Sequence, residues 1–359
     1  MHQSSHDGHP DAGEPPSLRE RLSRVIESRY GAGARLASFA PMEDGHAGLT
    51  FGFDVVSRGG EPVGSYVLKV APPGVTRRGN TDVYRQAPLL RALHGLGLPV
   101  PDVPWASPDE DLLGTPFIVM ERMPGRIFFV WEPHGSFLSD PTQLEELWLQ
   151  AARLLARLHL VDWKAVLADW EAPRPLSEEL ARWAPVLRHA QDPAWLSAGT
   201  RLHDTLASAV PDGLPIGIVH GDFQPGNILY EKGRVKGLID WELSSIGAQG
   251  ADVGWLLMMA DTEAWDPAFW PVAPVSCNGL RNAYEAAGGP ALTNLNWYQA
   301  LAHYRLGSIA CLNVKLHRTG KRVDPLWERF APSIAPLFAR GIVLAEQAVS
   351  QSSAPRPKE

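Results

Sequence analysis

The sequence has little of what marks secreted, membrane-spanning or nucleic-acid-binding proteins. It contains only two cysteines, Cys277 and Cys311, which form no C-x-x-C pair and cannot build a disulfide framework. One bridge is possible, but a reducing compartment is favoured. Basic residues are not in excess: 33 Lys and Arg face 40 Asp and Glu, a formal charge of −7, so no strong positive field attracts nucleic acid or anionic lipid. The longest apolar run, around Trp255–Ala260, is far shorter than the roughly 20 residues of a membrane span. We therefore expect a cytoplasmic protein with no nucleic-acid or membrane partner.

Length and composition indicate a globular protein with polar ends. Hydrophobic residues make up 45% and charged residues 20% of the 359 positions, which is enough for two lobes and a substantial core. Residues 1–17 are rich in His, Asp, Gly, Pro and Ser and have no apolar stretch, which is typical of a disordered tail and not of a signal peptide. Residues 350–359 are predicted to form a second disordered tail.

The first third of the chain has the periodicity of a helix followed by strands. Leu18–Tyr30 places apolar residues at helical spacing, whereas Leu49–Val55 alternates as a half-buried strand does. A second strand-like run, Val63–Val70, follows the turn signal Arg58–Glu61, so the two runs predict a hairpin.

The remainder of the chain is mostly helical. Apolar residues after Pro141 recur at i, i+3, i+4 and i+7, and a further helix is expected over Ser177–His189. Together these patterns predict an α+β fold with an N-lobe over residues 18–122 and a C-lobe over residues 123–349. Short strand-like runs lie at Ile216–Val219, Ile228–Tyr230 and Val235–Ile239.

The stretch from residue 219 to residue 242 carries the chemistry. A loop presents Asp222 and, five residues later, Asn227, and the next hairpin ends at Asp240. Strand pairing would bring Asp240 beside Asn227, and an Asp–Asn pair suits a hard, oxygen-ligated ion such as Mg²⁺ that shares its shell with phosphates. Asp222 is then available to orient a hydroxyl. A lone His-Gly-Asp tripeptide is more often a surface turn, but the Asn, the later Ile-Asp and an upstream lysine in the right order favour a site.

These residues resemble a known family. The pattern His-Gly-Asp-x-x-x-x-Asn at 220–227 with Ile-Asp-Trp-Glu at 239–242 is similar to the aminoglycoside phosphotransferase family, relatives of the protein kinases. The continuation at 241–247 and 251–255 looks most like the branch with the kinase-like domains of some acyl-CoA dehydrogenases. The resemblance covers roughly residues 36–260. It implies a bilobal protein-kinase-like fold, with a small β-sheet-plus-helix N-lobe and a larger, mostly helical C-lobe.

The resemblance also implies roles for the loop residues. Asp222 corresponds to the catalytic aspartate that accepts or orients the proton of the substrate hydroxyl, while Asn227 and Asp240 correspond to the magnesium-holding pair. His220 and Asp252 are interpreted as supports that hold the catalytic loop.

Lys69, within Tyr-Val-Leu-Lys-Val at 66–70, corresponds to the strand lysine that contacts the nucleotide phosphates. The family commonly has a Glu to pair with this lysine, but the aligned residue here is Gln86, which can donate or accept a hydrogen bond and cannot neutralise a charge. The other residues that the resemblance assigns to nucleotide binding are Gly45, Gly48, Thr50, Glu121 and Met123.

The expected function is that of an ATP- and Mg²⁺-dependent phosphotransferase acting on a hydroxyl of a small molecule. A nucleotide-binding pseudokinase or sensor is the alternative, supported by Gln86 and by the sparse glycine loop; a metal-dependent hydrolase would not explain Lys69. The acceptor stays open among cationic antibiotics, macrolides, sugars and hydroxyacyl thioesters, as does the choice between ATP and GTP. Glu242, Asp261 and Trp265 are the candidate acceptor-binding residues.

Overall fold

The computed structural model describes residues 17–42, 49–71, 79–138, 141–212 and 214–353. The chain divides into two compact units, one formed by Met1–Ala87 with Val103–Arg122 and the other by Pro88–Asp102 with Met123–Glu359. Residues 88–102 therefore group with the second unit although they precede Met123 in the chain.

The first unit is built on a five-stranded antiparallel sheet with the strand order β1-β2-β3-β5-β4. Helix α1 begins with a capping box, in which the Ser17 hydroxyl accepts from the backbone of Glu20 and the Glu20 carboxylate accepts from the Ser17 backbone. The elements are α1 (Leu18–Tyr30), β1 (Arg35–Pro41), β2 (Leu49–Val56), β3 (Pro62–Val70), β4 (Trp105–Ser107) and β5 (Phe117–Glu121).

One face of this sheet packs against α1. The alternation in β2 and β3 turns Phe53, Val55 and Leu68 to the same side, where they meet Leu22 and Ile26 of the helix. All five side chains are buried. The predicted helix and hairpin are thus confirmed, because burial selects the apolar stripe that the sequence displays.

The second unit holds two small sheets that carry the loop residues singled out above. Strand β7 (Ile216–Val219) pairs antiparallel with β10 (Ser245–Ala248), and β8 (Ile228–Glu231) lies between β6 (Arg126–Ile127) and β9 (Arg234–Leu238). Helix α2 (Gln86–Gly95) begins in the first unit and continues into the second. The other helices are α3 (Pro141–His159), α4 (Trp163–Val166), α5 (Leu176–Ala181), α6 (Ala184–Leu187), α7 (Pro193–Ala207), α8 (Gly250–Ala260), α9 (Cys277–Ala286), α10 (Leu295–Arg318), α11 (Pro325–Phe330) and α12 (Ile334–Ser353).

Helix α10 is the centre of the second unit, and most of its residues are buried although they include polar ones such as His303 and Arg305. The single helix expected over Ser177–His189 is two short helices, α5 and α6. Pro185 sits at the start of α6 and has no N–H to continue the earlier helix, which accounts for the break. No helix in the described ranges is long and apolar enough to cross a membrane. Cys277 and Cys311 are both free thiols.

Candidate active site

The catalytic-loop residues follow β7 directly. Gly221 has φ of +88°, and a Cβ built there would lie 2.3 Å from the carbonyl oxygen of Leu243. Only glycine accepts both the left-handed backbone and this close approach. The β7–β10 pairing, which sets Val219 opposite Ser245, therefore brings the residues after Asp240 against the loop that contains Asp222.

A buried carboxylate, that of Asp252, anchors the backbone of the catalytic loop. Asp252, in the first turn of α8, accepts hydrogen bonds from the backbone N–H groups of His220 (2.6 Å) and Gly221 (2.8 Å). Burial acts to raise the pKa of Asp252, but His159, His220 and the Gly221 N–H outweigh it and lower the pKa below its ordinary value. Asp252 is therefore an ionised anchor for the loop backbone.

His220 is fixed in one tautomer by its partners. Its Nδ1 lies 3.2 Å from the Asp222 backbone N–H, which can only donate, so Nδ1 accepts. Its Nε2 then carries the proton and donates to the carbonyl of Ile239 at 3.0 Å. The ring is completely buried and packs on Trp241. His220 thus joins the loop containing Asp222 to the strand end before Asp240.

Two amide side chains donate hydrogen bonds to the Asp222 carboxylate. Gln224 Nε2 donates to Oδ1 at 2.9 Å, and Asn227 Nδ2 donates both to Oδ2 at 2.9 Å and to the Asp222 carbonyl at 2.8 Å. Burial raises the pKa of Asp222; the positive charge of Arg305 opposes that rise, whereas the negative charge of Asp240 adds to it. A carboxylate with a raised pKa and a fixed orientation is suited to accept a proton.

Asp240 stands next to this pair because of backbone pairing. The Ile239 N–H donates to the Asn227 carbonyl at 2.9 Å, which brings the end of β9 alongside Asn227. Asp240 itself has φ of +65°, a left-handed conformation uncommon outside glycine that asparagine and aspartate tolerate best. The hairpin therefore delivers Asp240 to the same region as Asp222 and Asn227.

The donor set on this loop fits a magnesium ion. Because Asn227 points its amide nitrogen at Asp222, its amide oxygen faces the other way and is available as a ligand. Asp240 adds a carboxylate, and its negative charge is felt at Asp222. Oxygen ligands of this kind, few in number and completed by phosphates and water, are what Mg²⁺ prefers. Among the described residues, no three His, Cys, Asp or Glu side chains cluster as a self-sufficient metal cage.

The first unit carries Lys69, Thr50 and Glu121, three of the residues assigned to nucleotide binding. Lys69 in β3 pairs with Thr50 in β2, so their side chains lie on one face of the sheet. The Thr50 hydroxyl is buried and has no hydrogen-bond partner among the described residues, which leaves a donor for a bound group. Glu121 is the exposed last residue of β5. Gly45 and Gly48 lie outside the described residues.

Gln86 and Met123 lie close to the points in the sequence where the chain passes from one unit to the other. Gln86 opens helix α2 and is almost fully buried. Met123 begins the second stretch of the second unit and lays its thioether over Gly237, where a Cβ would lie 2.6 Å from the sulfur.

The structure places the candidate acceptor residues Glu242, Asp261 and Trp265 as follows. Glu242 lies half-buried in the short 3₁₀ helix Trp241–Leu243. One Asp261 oxygen accepts from Gln299 (2.9 Å) and from Arg340 (2.8 Å), and the other accepts from the Glu263 backbone.

Trp265 is buried against Trp131 and Phe330. Asp261 and Trp265 therefore have structural partners of their own within the helical unit.

Sequence reasoning passed over three residues near the loop. Gln224 is one of the four positions that the Asp-x-x-x-x-Asn motif leaves unspecified. His159, whose Nδ1 is 2.8 Å from the Tyr284 hydroxyl, places its Nε2 3.6 Å from Asp252. Arg305 lies on α10, 83 residues after Asp222 in the printed sequence. The signal for Arg305 is an arginine in the middle of a long helix, flanked by the aromatic Tyr304 and the apolar Leu306.

A family model for phosphotransferase enzymes (APH) matches residues 48–298, which is most of the chain and includes every loop residue described above. The chain belongs to the phosphotransferase enzyme family. The recognition made from the His-Gly-Asp and Ile-Asp motifs is thereby confirmed.

The chain is also similar to parts of curated acyl-CoA dehydrogenase family members. The chain is 28% identical over 260 residues to acyl-CoA dehydrogenase family member 10 of Mus musculus (68% of this chain, 24% of that protein). It is 29% identical over 289 residues to the probable acyl-CoA dehydrogenase IBR3 of Arabidopsis thaliana (74% and 34%). It is 25% identical over 359 residues to acyl-CoA dehydrogenase family member 11 of Gallus gallus (92% and 43%). The chain thus spans about a quarter to two fifths of the length of these relatives.

Solved structures show the fold. A candidate aminoglycoside phosphotransferase from Ralstonia eutropha superposes with a TM-score of 0.72 at 23% identity, covering 91% of this chain and 98% of that one. The macrolide 2′-phosphotransferase MphH from Brachybacterium faecium gives 0.52 at 18% identity, covering 89% and 98%. The predicted kinase-like α+β fold is confirmed by these likenesses.

Proposed function

We propose that this phosphotransferase moves the γ-phosphoryl group of Mg-ATP to a hydroxyl of a small molecule. The observation that carries the proposal is the hydrogen-bond pattern of the loop. Asn227 donates to Asp222 and keeps its own oxygen for a metal, while Asp240 is held alongside. Among structures with this fold, one is a ternary complex of APH(4)-Ia with AMP-PNP and hygromycin B, and another is a GDP and kanamycin complex.

Asp222 would act on the acceptor. In the proposed step the acceptor oxygen bonds to the γ-phosphorus, the bond from that phosphorus to the β–γ bridging oxygen breaks, and ADP leaves. The hydroxyl proton passes to the Asp222 carboxylate, whose raised pKa matches that role. Gln224 and Asn227 hold both carboxylate oxygens in place, so little reorganisation is needed.

The remaining roles follow from charge and donor chemistry. Asn227 and Asp240 would hold Mg²⁺, which neutralises phosphate charge when bound. In the first unit, Lys69 and the unpaired Thr50 hydroxyl would bind nucleotide phosphates. Asp252 and His220 would keep the loop in shape and do not react.

The test compares three alanine variants for Mg-ATP binding by calorimetry and for ADP release with a panel of hydroxylated metabolites and antibiotics. Asp222→Ala should lower turnover by about 10²–10⁴-fold and leave Mg-ATP affinity within a few-fold. Asp240→Ala should weaken Mg-ATP binding. Asp204→Ala, at an exposed position on α7, is the matched control and should change neither quantity. Full phosphorylation by the Asp222 variant would refute the assignment, and tight binding without turnover by the unaltered chain would favour the sensor alternative.

A further inference from the structure

The carboxylate that anchors the catalytic loop has a buried histidine beside it. His159, the last residue of α3, places its Nε2 3.6 Å from Oδ2 of Asp252, the same oxygen that accepts the His220 backbone N–H. That separation is too long for a hydrogen bond, but both side chains are almost completely buried, so their electrostatic contact is screened little by water. His159 therefore acts directly on the anchor of the loop.

The contact with Asp252 decides which nitrogen of His159 carries the proton. A lone pair on Nε2 would face a carboxylate oxygen and be repelled, whereas an N–H at that position is attracted. Burial acts to raise the pKa of Asp252, and among the groups that lower it His159 has the largest effect. The neutral imidazole therefore has its proton on Nε2 and a lone pair on Nδ1.

Tyr284 contacts the other side of the same imidazole. Its hydroxyl lies 2.8 Å from His159 Nδ1, and both side chains are buried. Because Nδ1 has the lone pair, the tyrosine hydroxyl donates and the imidazole accepts. The contacts thus run in one direction, from the tyrosine O–H through the imidazole to the carboxylate of Asp252 and from there to the loop backbone.

Packing sets the positions of the two rings. Tyr284 lies on α9, and its ring stands edge-on to the imidazole of His159 with 5.6 Å between the centres. Gly289 approaches the tyrosine so closely that a Cβ there would lie 2.5 Å from the ring. The Gln249 side chain donates to the His159 carbonyl at 2.8 Å, which ties the end of α3 to the residue before α8. The hydroxyl then adds the orientation of the imidazole.

We propose that Tyr284 is a positioning residue for phosphoryl transfer, which orients His159 against Asp252 and thereby steadies the backbone that carries Asp222. The inference rests on the proposed function, because Asp222 is the residue that would accept the proton of the acceptor. Filling the space does not require the hydroxyl, since a phenylalanine ring has nearly the same shape. A buried hydroxyl costs free energy unless it is hydrogen-bonded, and the bond of this one is to His159.

The kinetic experiment is a double-mutant cycle of Tyr284→Phe and His159→Gln. Tyr284→Phe should lower kcat by about three- to tenfold, the usual worth of one hydrogen bond, and leave the KM for Mg-ATP within about threefold. His159→Gln should lower kcat at least as much. Because the hydroxyl acts through the imidazole, adding Tyr284→Phe to His159→Gln should lower kcat by less than about twofold further. A role in packing alone would lower the melting temperature and leave kcat unchanged.

The tautomer of His159 is measured on the wild-type chain, without any acceptor and without relying on a variant. In protein with ¹⁵N-labelled histidine, the signals of His159 are assigned by their absence from His159→Gln. At pH 7 the Nδ1 should be unprotonated and the Nε2 protonated. Any other pattern of protonation would overturn the inference, because the tyrosine would then not be the donor.

Hydrogen exchange measures the effect on the loop, again without an acceptor. The amides of His220 and Gly221, which donate to Asp252, should exchange about three- to tenfold faster in Tyr284→Phe than in wild type. Tyr298→Phe is the matched control, since the Tyr298 hydroxyl is also buried but has no hydrogen-bond partner among the described residues. It should leave both kcat and the exchange of these two amides within about twofold.

Failure of the inference and failure of the proposed function give different results. A wild-type kcat in Tyr284→Phe, or a double variant in which the two losses add in full, would overturn the inference and leave the proposed function standing. If no acceptor of any class is phosphorylated, the proposed function fails. In that case faster exchange at His220 and Gly221 in Tyr284→Phe still supports the tyrosine as a residue that holds the loop, and unchanged exchange overturns it.

Discussion

Replacing Asp252 by asparagine tests the loop anchor most sharply. The wild-type carboxylate accepts two buried backbone N–H groups, at 2.6 and 2.8 Å, and each such charge-assisted bond contributes about 1.5–3 kcal/mol. Asparagine offers one oxygen and one NH₂ group, so one of the two backbone donors would face another donor and lose its bond. We expect Asp252→Asn to lower the free energy of unfolding by about 3–5 kcal/mol, as the breaking of other buried charged pairs does.

Thermal and urea denaturation would measure this loss. At roughly 2–4 °C per kcal/mol, the transition of the second unit should fall by about 6 °C or more. Turnover should fall as well, since the His220–Gly221 backbone carries Asp222. The control is Asp204→Asn, whose side chain is 72% exposed and should change stability by about 0.5 kcal/mol or less.

The same variant has a defined pH signature. The pKa of Asp252 is lower in the folded chain, so its contribution to stability is fully present above the unfolded value of about 3.9 and is lost as the pH falls through the lower folded value. The stability difference between wild type and Asp252→Asn should therefore be constant near neutral pH and shrink in acid. A variant that unfolds within about 1 kcal/mol of wild type and retains turnover would refute the role of Asp252.

Three further outcomes follow from the site. Gly221→Ala should lower the free energy of unfolding by about 1–3 kcal/mol and turnover by at least about tenfold, because its Cβ would lie 2.3 Å from a carbonyl oxygen on a left-handed backbone. Denaturation and rate measurements test both effects, and a wild-type rate would contradict the loop geometry. Arg305→Gln removes a cation that lowers the pKa of Asp222. The acid limb of the kcat/KM profile with a neutral acceptor should therefore move to higher pH than in wild type. An unmoved limb would show that the two charges do not interact. Desolvation raises the pKa of the partly buried Cys277 to about 11 and of the buried Cys311 to about 12, so alkylation near pH 8 should be slow in the folded chain and fast after unfolding. Rapid labelling of both thiols in the native protein would contradict these raised pKa values.

Local patterns accounted for the elements on which the site is built. The alternation in 49–55 and 63–70 predicted the β2–β3 hairpin because one face of that sheet is buried against α1. The helix expected over 177–189 was divided by Pro185, a residue whose effect is local and visible in the sequence. Strand β10 was not predicted, because its four residues are all buried, include glycine and alanine, and show no alternation of apolar and polar side chains.

The sequence by itself determined the family and the order of the loop groups, because Asp222, Asn227 and Asp240 are set by a short loop and one hairpin whose geometry is local. It could not show Arg305 between Trp183 and Trp255, or that Glu179 has both oxygens engaged, because those residues come from distant segments and meet only when α5, α8 and α10 pack. An arginine on the surface is solvated by water, whereas Arg305 is buried where the negative charges of Glu179, Asp222 and Asp252 act on it. Only the tertiary structure decides which of these it is.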